Sequence, residues 1–366
     1  MTISAAAVLL ATLALADDPP ASPEPKIPPP QAKVPAPGPL FPVLERGKWG
    51  YIDRTGRVVI SPRFDAAGRF SDGLAPVALG DRKGWADATG ELVLVPEYAP
   101  AEAGALHRRF SDGLAVVRDG TKLGYVDRRG RLAIPARFHS AEDFSEGLAL
   151  TCDAAGCGYV DKTGRGVIGP GFLGGGPFRK GLAAVWVGKG DMGSQRWRLH
   201  DRERGWLPGD FEGAGNLADD RLPVKWQGRW GFVDRAGRGV VRPQFAWASD
   251  FSEGLAPVAQ TVWSCGYLDR EGKIVIPTRL RACGPFSSGL ARVDLSAANE
   301  DAKKQKLAFV DRAGRVVIDG AAAKPPFEEA EDFADGLAAV HASGASGASR
   351  LGYVDTTGRY VWPPTE

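Results

Sequence analysis

From residue 43 onward the chain repeats itself, with a basic unit of about 34 residues. Units of that size cannot each bury a core, so they must stack and share one. Gly50-Tyr51-Ile52-Asp53-Arg54-Thr55-Gly56 returns at 124–130, 158–164, 231–237, 266–272 and 352–358. Looser copies stand at 84–90 and 308–314, and a worn one at 197–205. The aspartates at 53, 87, 127, 161, 201, 234, 269, 311 and 355 are separated by 34, 40, 34, 40, 33, 35, 42 and 44 residues, which gives nine starts.

Two further markers follow in fixed order. One is a Pro-x-aromatic element, as in Pro62-Arg63-Phe64, Pro96-Glu97-Tyr98, Pro170-Gly171-Phe172 and Pro243-Gln244-Phe245. The other is Phe70-Ser71-Asp72-Gly73-Leu74-Ala75, echoed from Phe110, Phe144, Phe178, Phe251, Phe286 and Phe333. Locally these spell a hairpin of two strands, Trp49 to Ile52 and Arg57 to Ile60, closed by Asp53 to Gly56. The aspartate caps the turn and the glycine takes the positive φ. Pro62 stops the second strand. Phe64 and Phe70 plug the core beneath a loop, and Leu74 to Val77 forms a third, returning strand.

The Gly-Tyr-[Ile/Val]-Asp-x-x-Gly, Pro-x-[Phe/Tyr] and Phe-Ser-[Asp/Glu]-Gly-Leu-Ala elements resemble the WG (KWG) repeat of bacterial proteins, over roughly residues 43 to 366. Trp precedes Gly only at Trp49 and Trp230. Leu123, Cys157, Cys265 and Leu351 hold that place elsewhere, and the fifth unit lacks its Phe-Ser-x-Gly-Leu-Ala element. The resemblance implies a β-rich scaffold without assigned catalysis and supplies no active-site residue.

The expected fold class is all-β, a tandem array of short antiparallel strands. Nine units exceed the usual blade count of a propeller, about 34 residues are few for four strands, and the spacings are uneven. These points favour an open, twisted, solenoid-like array, with a β-propeller as the alternative. For the propeller speaks the entry of the chain: Leu40-Phe41-Pro42-Val43 reads like a returning strand, and the last unit is partial, a hairpin without one.

Residues 1–16 read as a signal peptide. The apolar run Ala5 to Ala16 is too short to span a bilayer and ends in Ala14-Leu15-Ala16, although no Lys or Arg precedes it. Residues 17–42 contain eleven prolines and read as an extended linker. The repeat body is 43–366. Export to the periplasm or cell envelope, or secretion, is expected, with no membrane-spanning segment in the mature form. A net charge of +2 over 366 residues argues against a nucleic-acid partner.

Four cysteines behind an export signal suggest two local disulfides, Cys152–Cys157 and Cys265–Cys283; their gaps do not suit a Cys₄ zinc site. His107, His139, His200 and His341 fall at unrelated repeat phases, and no nucleophile elbow, phosphate loop or metalloprotease motif occurs. The turn aspartates stand alone, without the dense oxygens calcium requires. No catalytic, cofactor or metal site is therefore expected.

One charge pattern has a spatial meaning. Arg54, Arg128, Lys162, Arg202, Arg235, Arg270 and Arg312 follow the turn aspartate, and Arg57, Arg131, Arg165, Arg238, Lys273, Arg315 and Arg359 follow the turn glycine. If one operation relates the units, these form a basic ridge, a candidate surface for an acidic protein or an anionic envelope polymer. Asp72, Asp112, Glu146, Glu253 and Asp335 would form a separate acidic line. Long insertions at 187–196, 296–306 and 341–350 share one repeat phase and decorate one face. The expected function is thus a non-enzymatic exported scaffold that binds over an extended surface. The alternative is an envelope-glycan hydrolase using acids near the worn fifth unit: Asp210, Glu212, Asp219 and Asp220.

Overall fold

A computed structural model of the chain describes residues 38–94, 97–101, 106, 108–188, 195–261, 264–296, 305–343 and 349–364. The expected signal peptide and nearly all of the linker lie outside the described residues. So do His107, Pro96 and most of the three insertions. Every regular element described is a strand, and no described helix is long and apolar enough to cross a membrane.

Among the described residues there are nine antiparallel sheets, each continuous in sequence and each ordered along the chain. The sixth is representative: Gly213–Ala214, Arg221–Trp226, Arg229–Asp234 and Gly239–Phe245 lie side by side. The last three are the returning strand and hairpin read from the sequence, except that the proline does not stop the outer strand: it runs on through Pro243 to Phe245 across a bulge. The first is a two-residue strand that the sequence did not announce, and it explains how about 34 residues supply four strands. Among the described residues the first sheet alone has no such short strand and consists of Phe41–Glu45, Lys48–Ile52 and Val58–Phe64. Pro42 pairs with Tyr51, so the body begins slightly before residue 43.

The sheets are the nine blades of a closed β-propeller. Of the two arrangements that the sequence allowed, the ring forms rather than the open array. Phe41, Val43 and Ile52 of the first blade share one buried cluster with Leu337, Ala339 and Tyr353 of the ninth. The Tyr353 hydroxyl donates to the Pro42 carbonyl at 2.8 Å, and Arg54 lies 3.7 Å from Asp335. Among the described residues no strand is exchanged at the seam. The first and last blades meet face to face, as any two neighbours do.

Interblade packing repeats one aromatic pair. The tyrosine of one hairpin meets the phenylalanine of the next Phe-Ser turn edge-on, with centroids 4.9 Å apart for Tyr51–Phe70, Tyr125–Phe144, Tyr159–Phe178 and Tyr267–Phe286. Phe309–Phe333 repeats the distance without a hydroxyl. Such T-shaped contacts contribute about 0.5–1.5 kcal/mol each beyond burial. The tyrosine hydroxyls then donate to a carbonyl of the next blade, for example Tyr51 to Gly68 and Tyr267 to Gly284, both at 2.8 Å. Burial pushes these hydroxyls well above the usual phenol range.

The glycine that follows the first-slot Trp has its own cause. Trp49 pairs with Phe64 and Tyr51 with Ile60, so Gly50 alone faces three residues of a bulge. A Cβ on Gly50 would lie 2.5 Å from the Ile60 oxygen and 2.7 Å from the Pro62 nitrogen, which no side chain tolerates. The bulge and the glycine therefore require each other.

Candidate functional site

The candidate ridge is built by the turns that close each hairpin. Asp53 Oδ1 accepts from the Thr55 amide at 2.9 Å, from its hydroxyl at 2.6 Å and from the Arg57 amide at 3.2 Å, while Gly56 sits at φ 84°. These donors, the Thr55 hydroxyl foremost, hold the Asp53 carboxyl at about 2. The same turn recurs around Asp127, Asp161, Asp234, Asp311 and Asp355, whose carboxyls are likewise lowered.

The two columns of cations differ. In the outer column, Arg57, Arg131, Arg165, Arg238, Arg315 and Arg359 each pair with their own turn aspartate at 2.7–3.3 Å and remain 68–81% exposed. The pairing fixes the guanidinium without burying it. Lys273 has no ion pair among the described residues.

The inner column is turned to the preceding blade. Arg54 reaches Asp335, Arg202 donates to the Glu146 carbonyl at 2.7 Å, Arg128 donates to the Asp72 carbonyl, and Arg312 to that of Glu253. Arg270 lies 3.5 Å from Asp220, and Arg235 3.8 Å from the buried Asp201. Lys162 follows the same phase but has no ion pair among the described residues.

The acidic line is the other half of this latch. Asp72, Asp112, Glu146 and Glu253 occupy the first left-handed position of the Phe-Ser turns, at φ 51–54°. Each carboxylate accepts the glycine amide of the next turn, at 2.8 Å for Asp72–Gly113, 2.7 Å for Asp112–Gly147, 2.8 Å for Glu146–Gly181 and 2.9 Å for Glu253–Gly289. The serine beside it donates to the next phenylalanine carbonyl, as in Ser71 to Phe110 at 2.7 Å. Successive turns touch in this way only where the circumference is small, which places them beside the axis. From the sequence these acids were expected as a separate line, without the contacts that each turn makes to the next. The available signal was a co-loss: Thr356 lacks the inner cation where the preceding turn carries Ser288, and Ala88 lacks it where the first blade has no such turn.

The acids of the fifth-unit alternative are held by separate partners. Asp210 pairs with Arg198 at 3.2 Å, and Glu212 accepts the Gly228 amide at 3.0 Å. Asp219 accepts the Gly254 amide at 2.6 Å, and Asp220 pairs with Lys180 at 3.0 Å. The two turn acids replace the missing Phe-Ser element: Asp219 and Asp220 take φ 49° and 62°, and the turn forms as elsewhere. No group of three or more metal-binding side chains occurs among the described residues.

Both cysteine pairs are at disulfide distance. Cys152–Cys157 bridges two strands of the fourth blade, and Cys265–Cys283 joins the seventh blade to the first strand of the eighth, Ala282–Ser287, which is longer here than elsewhere. Cys157 and Cys265 stand in the slot that Trp49 and Trp230 fill. His200 lies 4.9 Å from Trp206, edge to face, and its burial lowers its pKa.

Compared with known families, the WG-containing repeat matches residues 49–82, 124–152, 230–260 and 266–295. The chain contains WG repeats. The four matches are the first, third, sixth and seventh hairpins, each with its glycine opposite a bulge. Among solved structures, a eukaryotic initiation factor superposes with a TM-score of 0.64 at 13% identity, covering 88% of this chain and 94% of that one, and it shows the propeller fold. BamB from Moraxella catarrhalis (TM-score 0.39, 12% identity, 71% and 91% coverage) and a puromycin hydrolase (0.40, 15%, 90% and 57%) are too distant to carry an argument. A search of curated proteins by sequence finds no match.

Proposed function

We propose that this WG-repeat propeller is an exported, non-enzymatic scaffold that binds an acidic protein or anionic envelope polymer through the outer arginine column. The carrying observation is the repetition of one exposed, pre-oriented guanidinium in six blades: Arg57, Arg131, Arg165, Arg238, Arg315 and Arg359. Each is braced by an aspartate, so little side-chain freedom is lost when a partner arrives, and its remaining N–H groups face solvent. Many weak equivalent contacts around a ring add through effective concentration. The inner column serves the ring instead, because six of its seven cations are engaged between blades. The disulfides fit an oxidising compartment.

The test is retention of the purified chain on immobilised polyanion and on envelope extract at low salt. Reversal of Arg131, Arg165 and Arg238 to Glu is expected to abolish retention while the melting temperature stays within a few degrees. Retention that is unchanged and insensitive to salt overturns the reading.

A further inference from the structure

The fifth unit departs from its neighbours at two facing positions. Arg198 stands where other hairpins carry the bulge-facing glycine, and Gly209 stands where the sixth blade has Pro243. Gly209 takes φ 109°, a conformation open to glycine, so the fifth unit places its glycine in the bulge where the other hairpins place theirs opposite it. The outer strand shrinks to Gly205–Trp206 before the chain returns to pair Phe211 with Trp197. Between this splayed segment and the outer strand of the sixth blade, Gly239–Phe245, lies a groove of about 510 Å³. Pro208, Phe211, Val240 and Pro243 line it, with Trp226 at its edge. Trp226 is 53% exposed and Val240 38%, an unusual pair to leave wetted on one rim. Arg242, also in the lining, is exposed and has no hydrogen bond or ion pair among the described residues.

We propose that this groove binds a small amphiphilic acid, an aliphatic or aromatic body carrying one carboxylate, sulfate or phosphate. The volume is that of a small-molecule site, in the range of about 300–1,000 Å³. The walls suit an apolar body and Trp226 offers it a flat face. The only lining acid, Asp210, is engaged by Arg198 at 3.2 Å, so Arg242 gives the groove one uncompensated positive charge. That complementarity selects an anion over a neutral apolar molecule. The site is independent of the arginine column, and either can fail alone.

Titration of the full chain with the sulfonated dye anilinonaphthalene sulfonate, followed by displacement with dodecanoate or dodecanol, tests it. Saturable binding is expected, with dodecanoate displacing the dye about tenfold better than dodecanol. Arg242→Gln is expected to remove that preference, and Trp226→Ala to weaken both ligands. Val240→Glu places an acid at an already exposed position, leaves the fold intact by circular dichroism, and is expected to abolish dye binding. Equal displacement by the acid and the alcohol, or wild-type dye binding in Val240→Glu, overturns the proposal.

Discussion

The fifth and sixth blades are neighbours built from the same repeat, and they solve one steric problem in opposite ways. In the sixth, Gly231 leaves room for the bulge at Pro243; a Cβ there would sit 2.4 Å from the Val241 oxygen. In the fifth, Arg198 fills that place and the bulge yields at Gly209, whose own neighbours are the atoms of the Phe211 ring. The eighth blade gives a third outcome: Ala308 pairs directly with Asp319 and the outer strand, Val316–Asp319, lacks the three-residue bulge. The repeat glycine is therefore not a turn residue. It is the space that lets an outer strand fold back toward the next blade.

The largest expected effect breaks this comparison directly. Gly231→Val forces a side chain into backbone and should destabilise by about 3 kcal/mol or more, read by denaturant unfolding. Arg198→Gly should change stability by less than about 1 kcal/mol, because the fifth bulge has already moved. Equal losses in the two variants would remove steric approach as the cause.

Next come the disulfides, which separate bracing within a blade from bracing between blades. Chain entropy gives about 3 kcal/mol for the longer Cys265–Cys283 loop and about 2 kcal/mol for Cys152–Cys157. Replacing each pair by serine and comparing denaturation midpoints checks the order. A reversed order would mean that the link between the seventh and eighth blades adds nothing beyond its packing.

Smaller still is the interblade latch. Arg128→Ala, which releases the Asp72 turn of the second blade, should cost about 1 kcal/mol, whereas Arg131→Ala in the outer column should cost about 0–0.5 kcal/mol. Indistinguishable variants would dissolve the division into an inner structural and an outer exposed column.

The smallest single effect is titration of one turn. Asp53 sits at about 2 in the folded chain, below its ordinary value of 3.8. Its contribution is therefore complete above about pH 4 and lost as pH falls toward 2. Melting temperatures between pH 5 and 2 should fall less steeply for Asp53→Asn than for the native chain.

Much of this was legible beforehand because it is local. Hairpins, capping aspartates, positive-φ glycines and returning strands depend on residues within a few positions of one another, and each copy confirms the last. The two-residue strand escaped notice because Gly213–Ala214 or Ala66–Ala67 carries no alternation. The division of the arginines escaped because Arg54 and Arg57 differ only in what the neighbouring blade presents to them. The groove depended on Arg198 and Gly209, which read as wear in a degenerate unit.

The sequence by itself determined the unit, the order of its three longer strands and its all-β class, since turn chemistry and apolar spacing act over short range. Closure was decided by the tertiary structure. Whether nine units end as an array or a ring depends on the rotation between neighbouring sheets. That rotation is set by aromatic plugs such as Tyr51–Phe70 and by latches such as Arg54–Asp335, where the partners belong to different blades and at the seam lie at opposite ends of the chain. A small angle repeated nine times brings Phe41 against Tyr353, and no single repeat encodes that sum.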